Sequence, residues 1–123
     1  MITSNIDMIT EFKSLGKTLD ELFFDQDCCF VGQVSGESMV DAGIFPGNVL
    51  IINRRLKPVH MDIIVCVFNG QFICKYIDLK NNQLISANDK YKPVKITEHD
   101  EFSLEGVVAN SLNFFRKPVG LAG

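Results

Sequence analysis

Apolar residues in this chain fall in short runs separated by turn residues. Runs rich in branched and aromatic side chains occupy 28–34, 48–53, 62–68, 71–80, 83–86 and 102–112, and each reads as a strand. Pro46-Gly47 marks the turn into the second run, and Lys57-Pro58 marks a loop before the third. Asn69-Gly70 is a strong signal for a tight hairpin between the third and fourth. Ahead of them, Thr18-Leu19-Asp20-Glu21 fits a capping box, and Leu19, Leu22 and Phe23 follow at helical spacing. That predicts a short helix over 19–24. Residues 1–17 lack clean periodicity and read as a loose N-terminal arm, which leaves 18–123 as one domain. The pattern predicts a mostly β fold, a compact antiparallel domain with a short N-terminal helix.

Two residues stand out chemically. Ser38 lies in the Gly-flanked turn Val34-Ser35-Gly36-Glu37-Ser38-Met39. A serine needs a base before it can attack an acyl carbon. Neither His60 nor His99 has a context that suggests that base; both read as surface residues. Lys75, in the strand after Asn69-Gly70, is the alternative. Side chains alternate faces along a strand, so Lys75 shares its face with Ile73 and Ile77. Between two branched aliphatics an ammonium is poorly solvated. Its pKa then falls from about 10.4 towards the roughly 7–8 at which a lysine works as a base. The plainer reading is a lysine whose stem lies on apolar surface while its head reaches water.

Residues 34–52, from Val34-Ser35-Gly36-Glu37-Ser38-Met39 through Gly43-Ile44 to Gly47-Asn48 and an apolar strand, resemble the signature of the LexA/UmuD family of Ser-Lys self-cleaving proteins. The block from Asp62 through Gly70 to Lys75 resembles the strand pair that carries the family's lysine. Leu84-Ile85 with Asn88, Tyr91 and Pro93 resembles its L-I-P-x-N-x-x-Y-x-P segment, and Gly106-Val107-Val108 its final strand. Within the family the chain looks closest to the UmuD branch in its processed form, accessory subunits of an error-prone DNA polymerase.

The resemblance implies a serine endopeptidase with Ser38 as nucleophile and Lys75 as general base. Backbone N–H groups of Ser38 and its neighbours Glu37 and Met39 would form the oxyanion hole. Ile73 and Ile77 would keep the dyad pocket dry. The reaction would be hydrolysis of one peptide bond, in the protein's own arm or in trans, within the SOS response to DNA damage. Implied partners are a second copy in a homodimer, a UmuC-like translesion polymerase, a RecA filament on single-stranded DNA, and full-length UmuD- or LexA-type relatives. An alternative is a regulatory heterodimer partner of such a relative, without catalysis. No cofactor or metal is implied.

The chain departs from the pattern at four places. No Ala-Gly or Cys-Gly pair, the bond this family usually cuts, precedes Ser38, so the chain resembles an already shortened form or a relative without an arm. Ile73 stands where many relatives carry a threonine whose hydroxyl helps orient the dyad. Asn48 replaces the usual Asp, and Met61 the usual Gly before Asp62; both read as minor structural changes.

Composition narrows the remaining options. At 123 residues, 46% apolar with ten Phe and no Trp, the chain can bury one modest core. A net charge of −3 argues against strong nonspecific DNA binding, which needs clustered Lys and Arg. Arg54-Arg55-Leu56-Lys57 and the lysines at 90, 92 and 95 read as solvated turns, or otherwise as a patch touching a partner or phosphate. No apolar stretch approaches the roughly 18 residues of a membrane span, and the N-terminus does not read as a secretory signal. Cys28, Cys29, Cys66 and Cys74 have no metal-ligand spacing, and a reducing cytoplasm fits them. The last strand, carrying Val108 and Leu112 and leading to Phe114 and Phe115, reads as an unpaired edge through which a symmetric dimer could form.

Overall fold

The hairpin signal is realised in full. In the computed structural model of this chain, which describes residues 12–23 and 27–121, Asn69 and Gly70 both take left-handed backbone, φ 50° and 83°. Two successive positive φ values define the turn that matches strand twist, and Asn-Gly is the pair that adopts them at least cost. The turn joins β3 (Ile63–Phe68) to β4 (Gln71–Asp78). Asn69 also ties the tip down: its Nδ2 donates to Asp100 Oδ1 at 3.0 Å, and its Oδ1 accepts from the Glu101 amide at 2.8 Å.

The other elements are α1 (Leu19–Phe23), β1 (Cys29–Gln33), a 3-10 turn (Val40–Ala42), β2 (Val49–Asn53), β5 (Gln83–Ile85), β6 (Val94–Lys95) and β7 (Phe102–Leu112). The capping box is present: the Glu21 amide donates to Thr18 Oγ1 at 3.2 Å, and the Thr18 amide donates back to Glu21 Oε1 at 3.3 Å. Of the expected arm and helix, residues 1–11 and 24 lie outside the described residues, and 12–17 carry neither helix nor strand.

All seven strands form one antiparallel sheet in the order β1-β2-β7-β3-β4-β5-β6. The expectation of the last strand as an unpaired edge is therefore corrected. β7 lies inside the sheet, and the edges are β1 and β6. β7 changes partner along its length: 102–107 pair with β3, and 107–112 pair with β2, with an irregularity in each ladder. The sheet bends at this crossing. Gly106 sits there because Ile52 and the backbone of Asn53 on β2 leave no room for a Cβ.

Successive residues of β3 point to opposite faces and feed two apolar clusters. Val65 joins Met39, Ile44, Leu50, Ile52 and Ala87 on one side. Ile64 and Cys66 join Ile77, Leu84 and Val107 on the other. The basic loop is partly drawn into the fold, since the Arg54 guanidinium lies 4.3 Å from the Phe30 ring centroid and 3.8 Å from Glu105.

The end of β4 and the whole of β6 differ from the sequence pattern. β4 stops at Asp78 rather than 80, because the Asp78 carboxylate captures the amides of Lys80 and Asn81, each at 3.0 Å. It also accepts from Asn81 Nδ2 at 2.8 Å and Gln83 Nε2 at 3.0 Å, and these hydrogen bonds hold its pKa down at about 2. The captured turn sets the register of β5 on β4, with Ile77 opposite Leu84 and Tyr76 opposite Ile85. β6 escaped prediction because two residues after Pro93 carry no readable periodicity.

Asn48 and Met61 have structural accounts. Asn48 is buried; its Oδ1 accepts from the Phe45 amide at 2.9 Å, and its Nδ2 donates to Asn113 Oδ1 at 3.1 Å. Met61 has φ 66°, which explains the glycine usual there. Left-handed backbone costs a non-glycine residue roughly 1–2 kcal/mol, offset in part by the roughly 0.5–1 kcal/mol entropy cost of glycine. The Met61 side chain is exposed and gives up little packing. Met61→Gly is thus expected to stabilise the fold by up to about 1 kcal/mol. A urea midpoint at or below that of the parent chain would contradict this.

Candidate active site

Ser38 is placed by a turn whose next residue is anchored in the core. Met39 is 2% exposed and packs in the first cluster, and its Sδ accepts from the Ala87 amide at 3.4 Å. The turn closes with Val40 N–H donating to Glu37 O at 3.3 Å, followed by the 3-10 turn and a left-handed Gly43 at φ 80°. The segment after β5 pins it from outside. Asp41 N–H donates to Ala87 O at 2.8 Å, Asn88 Nδ2 donates to Glu37 O at 3.0 Å, and Lys90 Nζ lies 3.3 Å from Glu37 Oε1. With its neighbour buried, Ser38 itself stays half-buried.

A cavity of about 460 Å³ opens between β1, β2, this turn and β4. Ser38 and Lys75 both line it, with apolar walls from Phe30, Leu50, Ile52 and Phe72. A Cβ built at Gly36, which also lines the cavity, would meet nothing within 4 Å. Glycine there leaves space at the cavity lining for a backbone to approach. Among the described residues, the amides of Glu37, Ser38 and Met39 donate to no acceptor, so they remain available to a developing negative charge.

Lys75 is half-buried, and its burial pushes its pKa below the ordinary lysine value. Two thiols lie near enough to oppose that shift if ionised. Burial, however, pushes Cys74 up to about 11 and Cys66 to about 12. Both stay neutral near pH 7 and place no negative charge beside the ammonium. Of the aliphatics expected around the lysine, Ile73 lines the cavity. Ile77 lies outside it, buried in the second cluster against Leu84.

Among the described residues no hydrogen bond joins Ser38 to Lys75. Lys75 Nζ donates instead to Ser86 Oγ at 2.8 Å and lies 5.2 Å from the centroid of the Tyr91 ring. Ser86 was not singled out from the sequence. The available signal was a departure: it occupies the proline position of the L-I-P-x-N pattern that Leu84, Ile85 and Asn88 otherwise follow. His60 and His99 are exposed and do not line the cavity. Among the described residues no three His, Cys, Asp or Glu side chains form a metal-binding group, and no helix is long and apolar enough to cross a membrane.

Comparison with known proteins bears on this geometry. The LexA repressor of Syntrophotalea carbinolica is 28% identical over 89 residues, 71% of this chain and 44% of that protein. The LexA repressor of Desulfatibacillum aliphaticivorans is 33% identical over 84 residues, 67% of this chain and 41% of that protein. That of Magnetococcus marinus is 25% identical over 109 residues, 87% of this chain and 47% of that protein. The chain thus spans less than half the length of each. The family model described as Peptidase S24-like matches residues 4–109, a span that holds the cavity, Ser38, Lys75 and Ser86. With most of its length matched by that model, the chain belongs to the Peptidase S24-like family.

Proposed function

We propose that this chain is a Ser-Lys endopeptidase domain of a LexA/UmuD-type damage-response protein. The observation that carries the reading is the shared cavity: a serine on a core-anchored turn and a lysine with a lowered pKa line one apolar pocket. Neutral Lys75 would take the proton from Ser38 Oγ as that oxygen bonds to the scissile carbonyl carbon. The carbonyl oxygen, now negative, would be met by the amides of Ser38 and its neighbours Glu37 and Met39. The Lys75 ammonium would then protonate the leaving amine, and water would release the acyl group from Ser38.

The test is cleavage in trans of an Ala-Gly or Cys-Gly peptide at about pH 7 and about pH 10. Ser38-dependent cleavage that rises with pH is the expected result. No cleavage at either pH, with the chain folded, would defeat the reading.

The biological setting forms part of the same proposal. The relatives are LexA repressors, which supports a role in damage-induced regulation. The sequence blocks support the finer reading of a UmuD-like dimer that pairs with a UmuC-like translesion polymerase and responds to a RecA filament. Capture of such a polymerase by the tagged chain would favour the finer reading. Mixed dimers with a LexA-type relative, without polymerase capture, would favour a regulatory partner instead. One observation favours that second reading: among the described residues no hydrogen bond joins Ser38 to Lys75.

A further inference from the structure

The segment that follows β5 touches both members of the proposed pair. Its first residue, Ser86, accepts the Lys75 ammonium at 2.8 Å. Its next two, Ala87 and Asn88, hold the Ser38 turn through Asp41, Met39 and the Glu37 carbonyl. The register supports the first contact. β5 runs antiparallel to β4 with Tyr76 opposite Ile85, so one further position brings Ser86 opposite Lys75. Ile73, on the lysine's own strand face, offers only methyl groups. From this juxtaposition we infer that Ser86 is a positioning residue for the peptidase reaction: its hydroxyl oxygen holds the Lys75 amine so that the nitrogen's free pair faces Ser38. The inference rests on the Ser-Lys reading above.

The chemistry follows from donor counting. A neutral lysine amine has two N–H donors and one lone pair. One N–H directed at Ser86 Oγ fixes the rotor and leaves the lone pair for the Ser38 proton. Once protonated, the nitrogen keeps the same acceptor and has a proton to return to the leaving amine. Ser86 gains and loses no proton in these steps. A flexible four-carbon stem without that acceptor would sample many headgroup positions, and loosely placed catalytic groups lose rate steeply. The Tyr91 ring closes one side of the headgroup, 5.2 Å from Nζ. The titratable groups near Lys75 are Cys74 on β4, Cys66 on β3 and Tyr91.

The test compares Ser86→Ala and Ser86→Thr with the parent chain, using trans-cleavage of an Ala-Gly peptide across pH. Titration of Lys75 by carbon-13 NMR of its Cε serves as an activity-free readout. Ser86→Ala is expected to lower the rate about 10- to 100-fold. It also removes an acceptor that favours the charged amine, so the alkaline rise and the NMR midpoint should both move to lower pH, by about half a unit or more. Ser86→Thr keeps the hydroxyl and should restore both. A serine that made no hydrogen bond to Lys75 would not move the lysine's titration.

If the parent cleaves and Ser86→Ala matches it in rate and pH profile, the inference is overturned while the dyad stands. If the parent is inert yet the Lys75 midpoint moves in Ser86→Ala, the dyad reading is overturned and the Ser86–Lys75 contact stands without a reaction to position. An inert parent with an unmoved midpoint overturns both.

Discussion

Lys75→Ala is expected to lower trans-cleavage by about 10²–10⁴-fold, the range a positioned general base contributes. Ser38→Ala should cost at least as much. The double variant should be little worse than either single one, because the two residues act in one proton transfer and such losses do not add. The pH profile sharpens the test. Only the neutral amine can take the Ser38 proton, so the parent's rate should climb as pH rises through the lysine's pKa. Burial places that pKa below the ordinary lysine value, so the climb should begin earlier than a solvated lysine allows. Lys75→Ala should flatten this limb. Lys75→Arg keeps a positive charge that does not titrate, with a pKa above about 12, and should be as inactive as alanine. An arginine variant with near-parent activity would show that charge, and not base strength, is what the site uses.

The same burial has a consequence for folding. Between the lowered pKa of the folded state and the ordinary value of the unfolded chain, the unfolded state binds more protons at this site. Stability from this group therefore rises with pH across that window. Lys75→Met should remove the slope while keeping the apolar stem.

Gly106→Ala is expected to destabilise the fold by about 1–3 kcal/mol, the usual cost of overpacking a filled site. A Cβ at this position would lie 2.7 Å from Ile52 Cγ2 and 3.0 Å from the Asn53 carbonyl oxygen. Neither neighbour can step aside at low cost. Ile52 is only 2% exposed and packs in the first cluster, and Asn53 belongs to the backbone ladder that pairs β2 with β7. Against a total stability of roughly 5–15 kcal/mol the loss is large, and it should appear as a clear drop in the urea midpoint. Gly36→Ala is the informative control. Its Cβ meets nothing within 4 Å, so stability should stay within about 0.5 kcal/mol. It does place a methyl on the cavity lining, so peptide cleavage should fall even though the melt does not. An unchanged midpoint for Gly106→Ala would show that β2 shifts freely at the crossing, contrary to the packing described.

Much of the secondary structure was readable because its causes are local. The capping box of Thr18 and Glu21 and the left-handed pair Asn69-Gly70 are set by residues within four positions of one another. The strands announced themselves by branched and aromatic runs. The errors also have local causes, of a kind that periodicity does not report. Asp78 ended β4 early by turning its carboxylate back on the following amides. β6 was too short to show alternation.

The site was legible only in part. Ser38 and Lys75 stood out in their turn and strand contexts, their roles came from the resemblance to the LexA/UmuD signature, and the structure brings both to one cavity. Their environment could not be read in the same way. Ile77, chosen by strand alternation, shares the face but lies beyond the cavity, while Ser86, on a different strand's extension, reaches the lysine.

The sequence by itself determined the residue chemistry and the strand-forming segments, since alternation, capping and turn geometry depend on near neighbours. Tertiary structure alone decided that β7 lies inside the sheet and changes partner at Val107, that Gly106 must be bare, and that residues 86–88 hold both the lysine and the serine turn. These contacts join positions distant along the chain. They are fixed by strand register and by the closure of long loops, for which a local pattern carries no signal.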